Sequence, residues 1–248
     1  MQDRYVGDVG DFAKYALLRS IVSHRSIRLG IIWCLFRDES HNADGRHTSY
    51  LRRPEFRRLD PDLHDRLALI VSSDHRSVQK ICTAGIFPSG TISCDLPVSA
   101  SSQVGVERAA REAHRAKWLA TALAITTKCN VVFLDPDNGL QVPSVPRHYP
   151  KAGKYIFWDE LRSFWERGQS LIVYHHLNRR ASVRDQTKAI KRKFKEKFPD
   201  ASMIAYLLFR RGSCRHFWIV GQVQHASILQ SKIEALLDSG WSEYFEVG

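Results

Sequence analysis

The stretch Val131-Val132-Phe133-Leu134-Asp135-Pro136-Asp137-Asn138-Gly139 decides the fold class. Its first four residues are apolar without a polar alternation, which is typical of a short strand buried on both faces of a parallel sheet. The residues that follow are turn formers, and the proline fixes the backbone. In doubly wound sheets, ligands bind beyond the carboxyl ends of the strands. We therefore expect Asp135, Pro136, Asp137 and Asn138 to lie at such a site.

Strand and helix patterns alternate on both sides of this stretch. Apolar or β-rich runs predict strands at 29–36, 91–94, 170–174, 202–209 and 215–223. Helical spacing predicts helices at 12–22 with Asp11 as N-cap, 63–71, 77–83, 106–126, 159–167, 181–198 and 226–237. The polar stretch 37–58 is expected to be a long loop, and 154–157 a short extended segment. The last two strands flank turn formers and predict an antiparallel hairpin.

This alternation predicts one α/β domain over residues 1–248. The expected architecture is a Rossmann-like, doubly wound, mostly parallel sheet with helices on both faces and a C-terminal antiparallel hairpin. Because polar residues after each strand share one sheet edge, Asp95, which follows the run 91–94, is a candidate for binding ribose hydroxyls. A helix cap or a solvated loop carboxylate is the alternative interpretation of Asp95.

Composition favours a polyanionic partner. The chain has 37 Lys and Arg against 26 Asp and Glu, for a formal net charge of +11. The run Lys188-Ala-Ile-Lys-Arg-Lys-Phe-Lys-Glu-Lys197 is either a solvated helix face or an RNA-binding face. The five cysteines are far apart and form no C-x-x-C pair, which argues against a zinc knuckle and a disulfide framework. Since the N-terminus lacks an apolar h-region, we expect a cytoplasmic location.

A resemblance begins at the N-terminus. Gly7-Asp8-Val9-Gly10-Asp11-Phe12-Ala13-Lys14-Tyr15 resembles the Gly-Asn-x-x-Asp-x-x-Lys-His signature of the bacterial 23S ribosomal RNA adenine-N6 methyltransferase family. Asp8 stands in place of the asparagine and Tyr15 in place of the histidine. The opening also resembles bacterial proteins of uncharacterised activity that share Tyr-Val-Gly-Asp-x-Gly-Asp-Phe.

Three later segments resemble the same family in the same order. Residues 40–46 are similar to its Thr-His-Ala-Gly-Ala-Gly-Arg loop, and match at His41, Gly45 and Arg46. Residues 93–97 resemble the segment that carries its ribose-binding acid, and 132–136 its catalytic strand and loop. Two departures are Ala43, which replaces a glycine, and Asp137-Asn138, which replaces the Pro-Tyr of an Asp-Pro-Pro-Tyr loop.

The resemblance implies a class I methyltransferase fold that binds S-adenosylmethionine and modifies an adenine exocyclic amine in nucleic acid, with RNA slightly favoured over DNA. The implied catalytic loop is 135–138. The implied cofactor-binding residues are Gly7, Asp11, Lys14, Tyr15, His41, Gly45 and Asp95.

Two alternatives stay open. A metal-dependent nuclease would draw its ligands from His41, Asp44, Asp135, Asp137, His175 and His176. The other is a nucleic-acid-binding derivative of the fold without catalytic activity.

Overall fold

A central sheet organises the chain. The computed structural model describes residues 1–39, 45–73, 75–99 and 107–248. Its strands in chain order are β1 (Leu29–Ile32), β2 (Ile92–Cys94), β3 (Val131–Leu134), β4 (Gly139–Leu140), β5 (Tyr155–Ile156), β6 (Ser170–His176), β7 (Met203–Phe209), β8 (Arg215–Gly221) and β9 (Phe245–Val247). Seven of them form one sheet in the order β2-β1-β3-β6-β8-β7-β9, and β4 pairs with β5 in a separate small sheet.

The order of the strands reverses beside β1. The chain passes from β1 outward to β2, then crosses to the other side of β1 to form β3. Strands β2, β1, β3 and β6 pair in parallel, whereas β8 is antiparallel to β6, β7 to β8, and β9 to β7. The predicted C-terminal hairpin is thus confirmed as β7 and β8. Its second strand is the one that joins the parallel strands.

Helices cover both faces of the sheet. They are α1 (Val9–Val22), α2 (Pro54–Leu59), α3 (Pro61–Ser72), α4 (Val78–Thr83), α5 (Arg108–Ile125), α6 (Trp158–Trp165), α7 (Val183–Lys197) and α8 (Val223–Asp238). Short 3-10 helices lie at Asp3–Tyr5, Ser49–Arg52, Pro150–Lys154 and Trp241–Glu243. Across the described ranges, no helix is both long and apolar enough to pass through a membrane.

Alternate strand residues pack into two cores. On β3, Phe133 packs in one core with α1, α3, α4 and α8, whereas Leu134 packs in the other with α5, α6 and α7. Because successive side chains of a strand point to opposite faces, a strand covered on both faces has to be apolar throughout. This explains why the central strands are continuous apolar runs in the sequence.

Three local predictions were wrong. Helix α1 begins at Val9 with Asp8 as N-cap, because the Asp8 carboxylate accepts hydrogen bonds from the Gly10 and Asp11 amides. Strand β1 ends at Ile32, four residues early, since Cys34 has a left-handed φ of 44° that a strand cannot accommodate. Most of the predicted loop after residue 48 forms two short helices, Ser49–Arg52 and α2, and Phe56 on α2 is buried.

Candidate functional site

A polar cleft opens at the carboxyl edge of the sheet, next to the reversal of strand order. Its volume is about 370 Å³. Side chains from the N-terminal segment, α1, the loop after β3, the end of β6 and the turn before β8 meet there. The described lining residues are Met1, Tyr5, Asp8, Asp11, Lys14, Gly45, His47, Asp135, Pro136, Asp137, Asn138, Tyr174, His176, Arg179, Gly212, Ser213 and Arg215.

A buried charge cluster joins α1 to the end of β3. The Lys14 Nζ lies 2.6 Å from Asp11 Oδ1 and 2.7 Å from Asp135 Oδ2. Asp11 Oδ2 also accepts hydrogen bonds from the Gly7 amide and the Tyr15 hydroxyl, each at 3.0 Å. Both carboxylates and the ammonium are almost inaccessible to solvent. Two of the four segments on which the resemblance rests, 7–15 and 132–136, therefore contact each other through this cluster.

Burial and mutual attraction set the charges of the cluster. Burial raises the pKa of Asp11 to about 6, although the Lys14 ammonium opposes the shift. Burial disfavours the charged form of Lys14, but the carboxylates of Asp11 and Asp135 outweigh it and raise the Lys14 pKa. Burial, with the same two carboxylates, raises the Tyr15 pKa well above its ordinary value. The Lys14 ammonium thus lies between the carboxyl groups of Asp11 and Asp135.

The Gly7-Asp8 part of the signature shapes the backbone ahead of α1. Gly7 has φ +82°, and a Cβ added there would lie 2.4 Å from Val71 Cγ2. Asp8 caps the helix, and its Oδ1 lies 3.7 Å from the Arg215 guanidinium. Gly7 and Tyr15 are not among the described residues that line the cleft. Both donate a hydrogen bond to Asp11 Oδ2, whereas Asp11 and Lys14 line the cleft.

The loop after β3 lies on the cleft wall with all four predicted residues. The Asp135 carbonyl accepts a hydrogen bond from the Met1 ammonium at 2.8 Å. The Asp137 Oδ2 accepts from Gln2 Nε2 at 2.8 Å and lies 3.3 Å from Lys154 Nζ. Its Oδ1 is buried and has no hydrogen-bond partner within the described residues. Asp137 thus belongs to the cleft lining and keeps one carboxylate oxygen without a protein donor among the described residues.

Asn138 is anchored through its backbone. Its amide donates to the Lys154 carbonyl at 2.8 Å, and its carbonyl accepts from the His176 amide at 3.3 Å. The next residue, Gly139, has φ +104° and packs directly against His175. These contacts fix the loop between β6 and the 3-10 helix Pro150–Lys154.

Other predicted cofactor residues are less close together. Gly45 lines the cleft with φ +82°, and a Cβ added there would lie 2.5 Å from the Arg4 carbonyl. Asp95 follows β2 as predicted, but it is exposed and lies outside the described lining of the cleft. His41 lies outside the described residues. The structure thus unites Asp11, Lys14 and Gly45 with the loop 135–138.

Asp135, Asp137 and His176 of the metal alternative all line the cleft, but His175 does not, and the described residues form no metal-binding group. His175 is buried, and its Nδ1 accepts a hydrogen bond from the Leu140 amide at 3.0 Å. Burial lowers the His175 pKa to about 3, with further lowering from His216 and His176. Within the described ranges, no group of three His, Cys, Asp or Glu side chains is arranged to hold a metal ion. His41 and Asp44 of that hypothesis lie outside those ranges.

Arg215 is a cleft residue that the sequence analysis missed. Its side chain is 5% exposed, and its NH2 donates to Ser213 Oγ at 2.5 Å. The guanidinium lies across Gly10, where an added Cβ would overlap it. Because β8 is antiparallel to β6, it begins at the edge where the parallel strands end. The hairpin prediction did not identify Arg215, because the sequence does not show which of the two hairpin strands pairs with β6.

Comparisons of the chain with protein-family models, with curated proteins and with solved structures found no match. The cleft residues and their chemistry are therefore the basis for assigning a function.

Proposed function

We propose that this protein is an S-adenosylmethionine-dependent methyltransferase with a class I, Rossmann-like fold that modifies nucleic acid at an adenine exocyclic amine. One observation carries the proposal. The α1 motif and the loop after β3 are far apart in sequence, and Lys14 Nζ joins them at 2.7 Å from Asp135. Their meeting point lies beside the reversal of strand order, where sheets of this type bind nucleotides and cofactors.

The donors and acceptors of the cleft fit the cofactor. S-adenosylmethionine carries a positive sulfonium and ammonium, and the cleft offers the carboxylates of Asp8, Asp11, Asp135 and Asp137. The unpartnered Asp137 Oδ1 suits an ammonium or hydroxyl donor. Gly45 lets this part of the cleft wall pack tightly, because an added Cβ would lie 2.5 Å from the Arg4 carbonyl oxygen. When bound, the cofactor supplies an electrophilic methyl group.

Asp135 would orient the target amine. Lys14 keeps the Asp135 carboxylate fixed in one position through a 2.7 Å hydrogen bond to Oδ2. A carboxylate has about four acceptor positions, so this bond leaves others for an incoming N–H group. The backbone carbonyls of the loop are further acceptors. The Asp135 carbonyl shows this role, since it accepts a hydrogen bond from the Met1 ammonium. The main contribution of the residues would be alignment of the amine nitrogen with the methyl group.

The nucleic-acid part of the proposal rests on charge and on the rim of the cleft. The net charge of +11 favours phosphodiester partners, and Arg179 lies at the opening. RNA is the first substrate to test. Three of the five cysteines, Cys34, Cys94 and Cys129, are buried free thiols, which fits the cytoplasmic location that we propose.

A binding protein without catalysis is the second candidate. Lys14 already occupies one Asp135 oxygen, and Asn138 replaces the aromatic ring with which related loops stack on the base. Both features suit a cleft that holds a nucleotide without transferring a methyl group.

Calorimetric titration with S-adenosylmethionine, and separately with its demethylated product, tests the proposal. We expect a saturable heat and a rise in melting temperature with either ligand. Incubation with labelled cofactor and RNA or DNA should then label the nucleic acid. Cofactor binding without label transfer would favour the binding protein. The absence of both heat and thermal shift at millimolar ligand would remove the methyltransferase proposal.

A further inference from the structure

Helix α7 carries four exposed cations in a single row. Arg184, Lys188, Arg192 and Lys195 are all exposed. Their separations of four, four and three residues place them on one side of a helix. At 1.5 Å per residue the row is about 16 Å long, with a cation roughly every 5–6 Å. We call these four residues the cation row.

The core fixes the direction in which the row points. Phe194, on the opposite side of α7, is fully buried, with its ring 5.1 Å from Trp218 and 5.0 Å from Trp158. Lys191, beside the row, places its Nζ 5.9 Å from the centre of the Tyr206 ring. Rotation of α7 would expose these aromatic rings. The cations are therefore held on the surface by packing of the opposite side.

Within the described residues, no carboxylate makes a close ion pair with the cation row. In the part of the chain that the structure describes, none of its four cations forms an ion pair within 4.0 Å, and the α7 pair that does form joins Lys197 to Glu196. Like charges three or four residues apart on a helix repel each other and destabilise it. An external polyanion would remove this repulsion.

The row begins beside the cleft. Arg179 lines the cleft, and Arg184 follows five residues later in the chain. Two hydrogen bonds between Gln186 and Asn178, from Gln186 Nε2 at 2.9 Å and from the Asn178 amide at 3.1 Å, fasten the connecting loop to the first turn of α7. The connecting loop from Arg179 at the cleft to Arg184 on α7 therefore carries a further exposed cation, Arg180.

We infer that the cation row binds the phosphodiester backbone of the strand whose base enters the cleft. The inference rests on the proposed function for the identity of that strand. Evenly spaced cations in single file match the repeating charge of a strand better than a compact cluster would. Such contacts position a nucleic acid without reading its sequence. RNA and DNA share this chemistry, so both are test ligands.

The test compares two variants that lose the same charge. The row variant combines Arg184→Gln, Lys188→Gln, Arg192→Gln and Lys195→Gln. The control combines Arg25→Gln, Arg28→Gln, Lys117→Gln and Lys128→Gln, which are exposed and outside α7. Circular dichroism and melting temperature check that each is folded. Fluorescence anisotropy then measures affinity for a 20-nucleotide single-stranded RNA or DNA over a range of salt concentrations.

We expect the row variant to lower the slope of log affinity against log salt by about 3, since each phosphate contact contributes roughly 0.7 for a single strand. The control should keep most of the wild-type slope. Equal losses in both variants, or a wild-type slope in the row variant, would overturn the inference. So would wild-type binding to phosphatidylserine vesicles without binding to either oligonucleotide. If the row variant alone loses affinity, but the wild type transfers no methyl group, the cation row is supported and only the proposed enzyme activity is refuted.

Discussion

The Lys14 ammonium lies 2.7 Å from the Asp135 carboxylate, across 121 positions of sequence, and 2.6 Å from the Asp11 carboxylate. One cation therefore separates two buried anions that would otherwise repel each other. Buried charges are tolerated when they are paired and hydrogen-bonded, and removal of one partner leaves the other uncompensated. The stability of the sheet edge and the chemistry of the cleft thus depend on the same three side chains.

Replacement of Lys14 by methionine should destabilise the protein strongly. The side chain keeps a similar length, but Asp11 and Asp135 lose their shared cation while both remain buried. We expect a loss of about 3–5 kcal/mol in the free energy of unfolding at pH 8, the usual cost of breaking a buried pair. Urea unfolding measures it. Lys117→Met, at an exposed position, should change stability by less than about 0.5 kcal/mol.

The pH dependence of stability should reveal the raised pKa of Asp11. This pKa is about 6 in the folded protein against an ordinary value of 3.8. Between these pH values the folded state binds more protons than the unfolded state, so the Asp11 contribution to stability falls as pH rises. Asparagine does not titrate. The stability of the wild type relative to Asp11→Asn should therefore drop by about 2 kcal/mol from pH 4 to pH 7, which is most of the roughly 3 kcal/mol that a shift of about two pKa units represents.

Urea unfolding of both proteins at half-unit pH steps gives this difference. A flat difference over the interval would show that Asp11 titrates normally. A rise with pH would show that the pKa is lowered, so that the Lys14 attraction exceeds the cost of burial.

Strand β3 could be predicted to the residue because its signal is local. Four apolar residues stand between Asn130 and Asp135, and burial on both faces requires that pattern. The end of β1 could not be predicted in this way, because Trp33 and Cys34 are buried although they follow the last residue of the strand. An apolar run reports burial and does not report which residues pair. The three-residue β9 was missed since it has no such run.

Site residues that belong to a sequence motif could be predicted. Site residues that reach the cleft only through the order of the strands could not. Lys14 and Asp135 stood out in the sequence, but the order of β7 and β8, which brings Arg215 to the cleft, depends on long-range pairing. Asp8 and Asp11 are equally good helix caps by residue type. In the structure the Asp8 carboxylate accepts the hydrogen bonds of the helix N-terminus, whereas the Asp11 carboxylate binds Lys14.

Replacement of Gly139 by alanine should disturb the loop that carries Asp135. Gly139 has φ +104°, and an added Cβ would lie 2.4 Å from His175 Nδ1 and 2.6 Å from His175 Cα. Gly90 is a matched control, since its φ is +98° but an added Cβ meets nothing within 4 Å. We expect Gly90→Ala to cost about 1 kcal/mol from backbone strain and Gly139→Ala at least 2 kcal/mol more.

Chemical denaturation of the two alanine variants measures these costs. Equal costs would mean that the backbone angle alone matters at Gly139, and that the contact with His175 is not tight.

Replacement of Asp135 by asparagine tests the centre of the proposed site. The amide keeps the shape of the side chain but removes the charge that Lys14 pairs with and the acceptor that would align the target amine. We expect transfer of labelled methyl groups to RNA to fall by about 100-fold or more, because misalignment at the reacting atoms has costs of that order. Affinity for S-adenosylmethionine, measured by calorimetry, should change much less.

The control is Asp238→Asn, which removes an exposed carboxylate at the end of α8. It should leave transfer unchanged. A parallel reaction with magnesium or manganese and without cofactor examines the nuclease alternative, in which Asp135→Asn would weaken divalent-ion binding and strand cleavage instead. If Asp135→Asn is folded and retains every activity of the wild type, the loop after β3 is not the catalytic centre. The cleft would then be better explained as a nucleotide-binding site without catalysis.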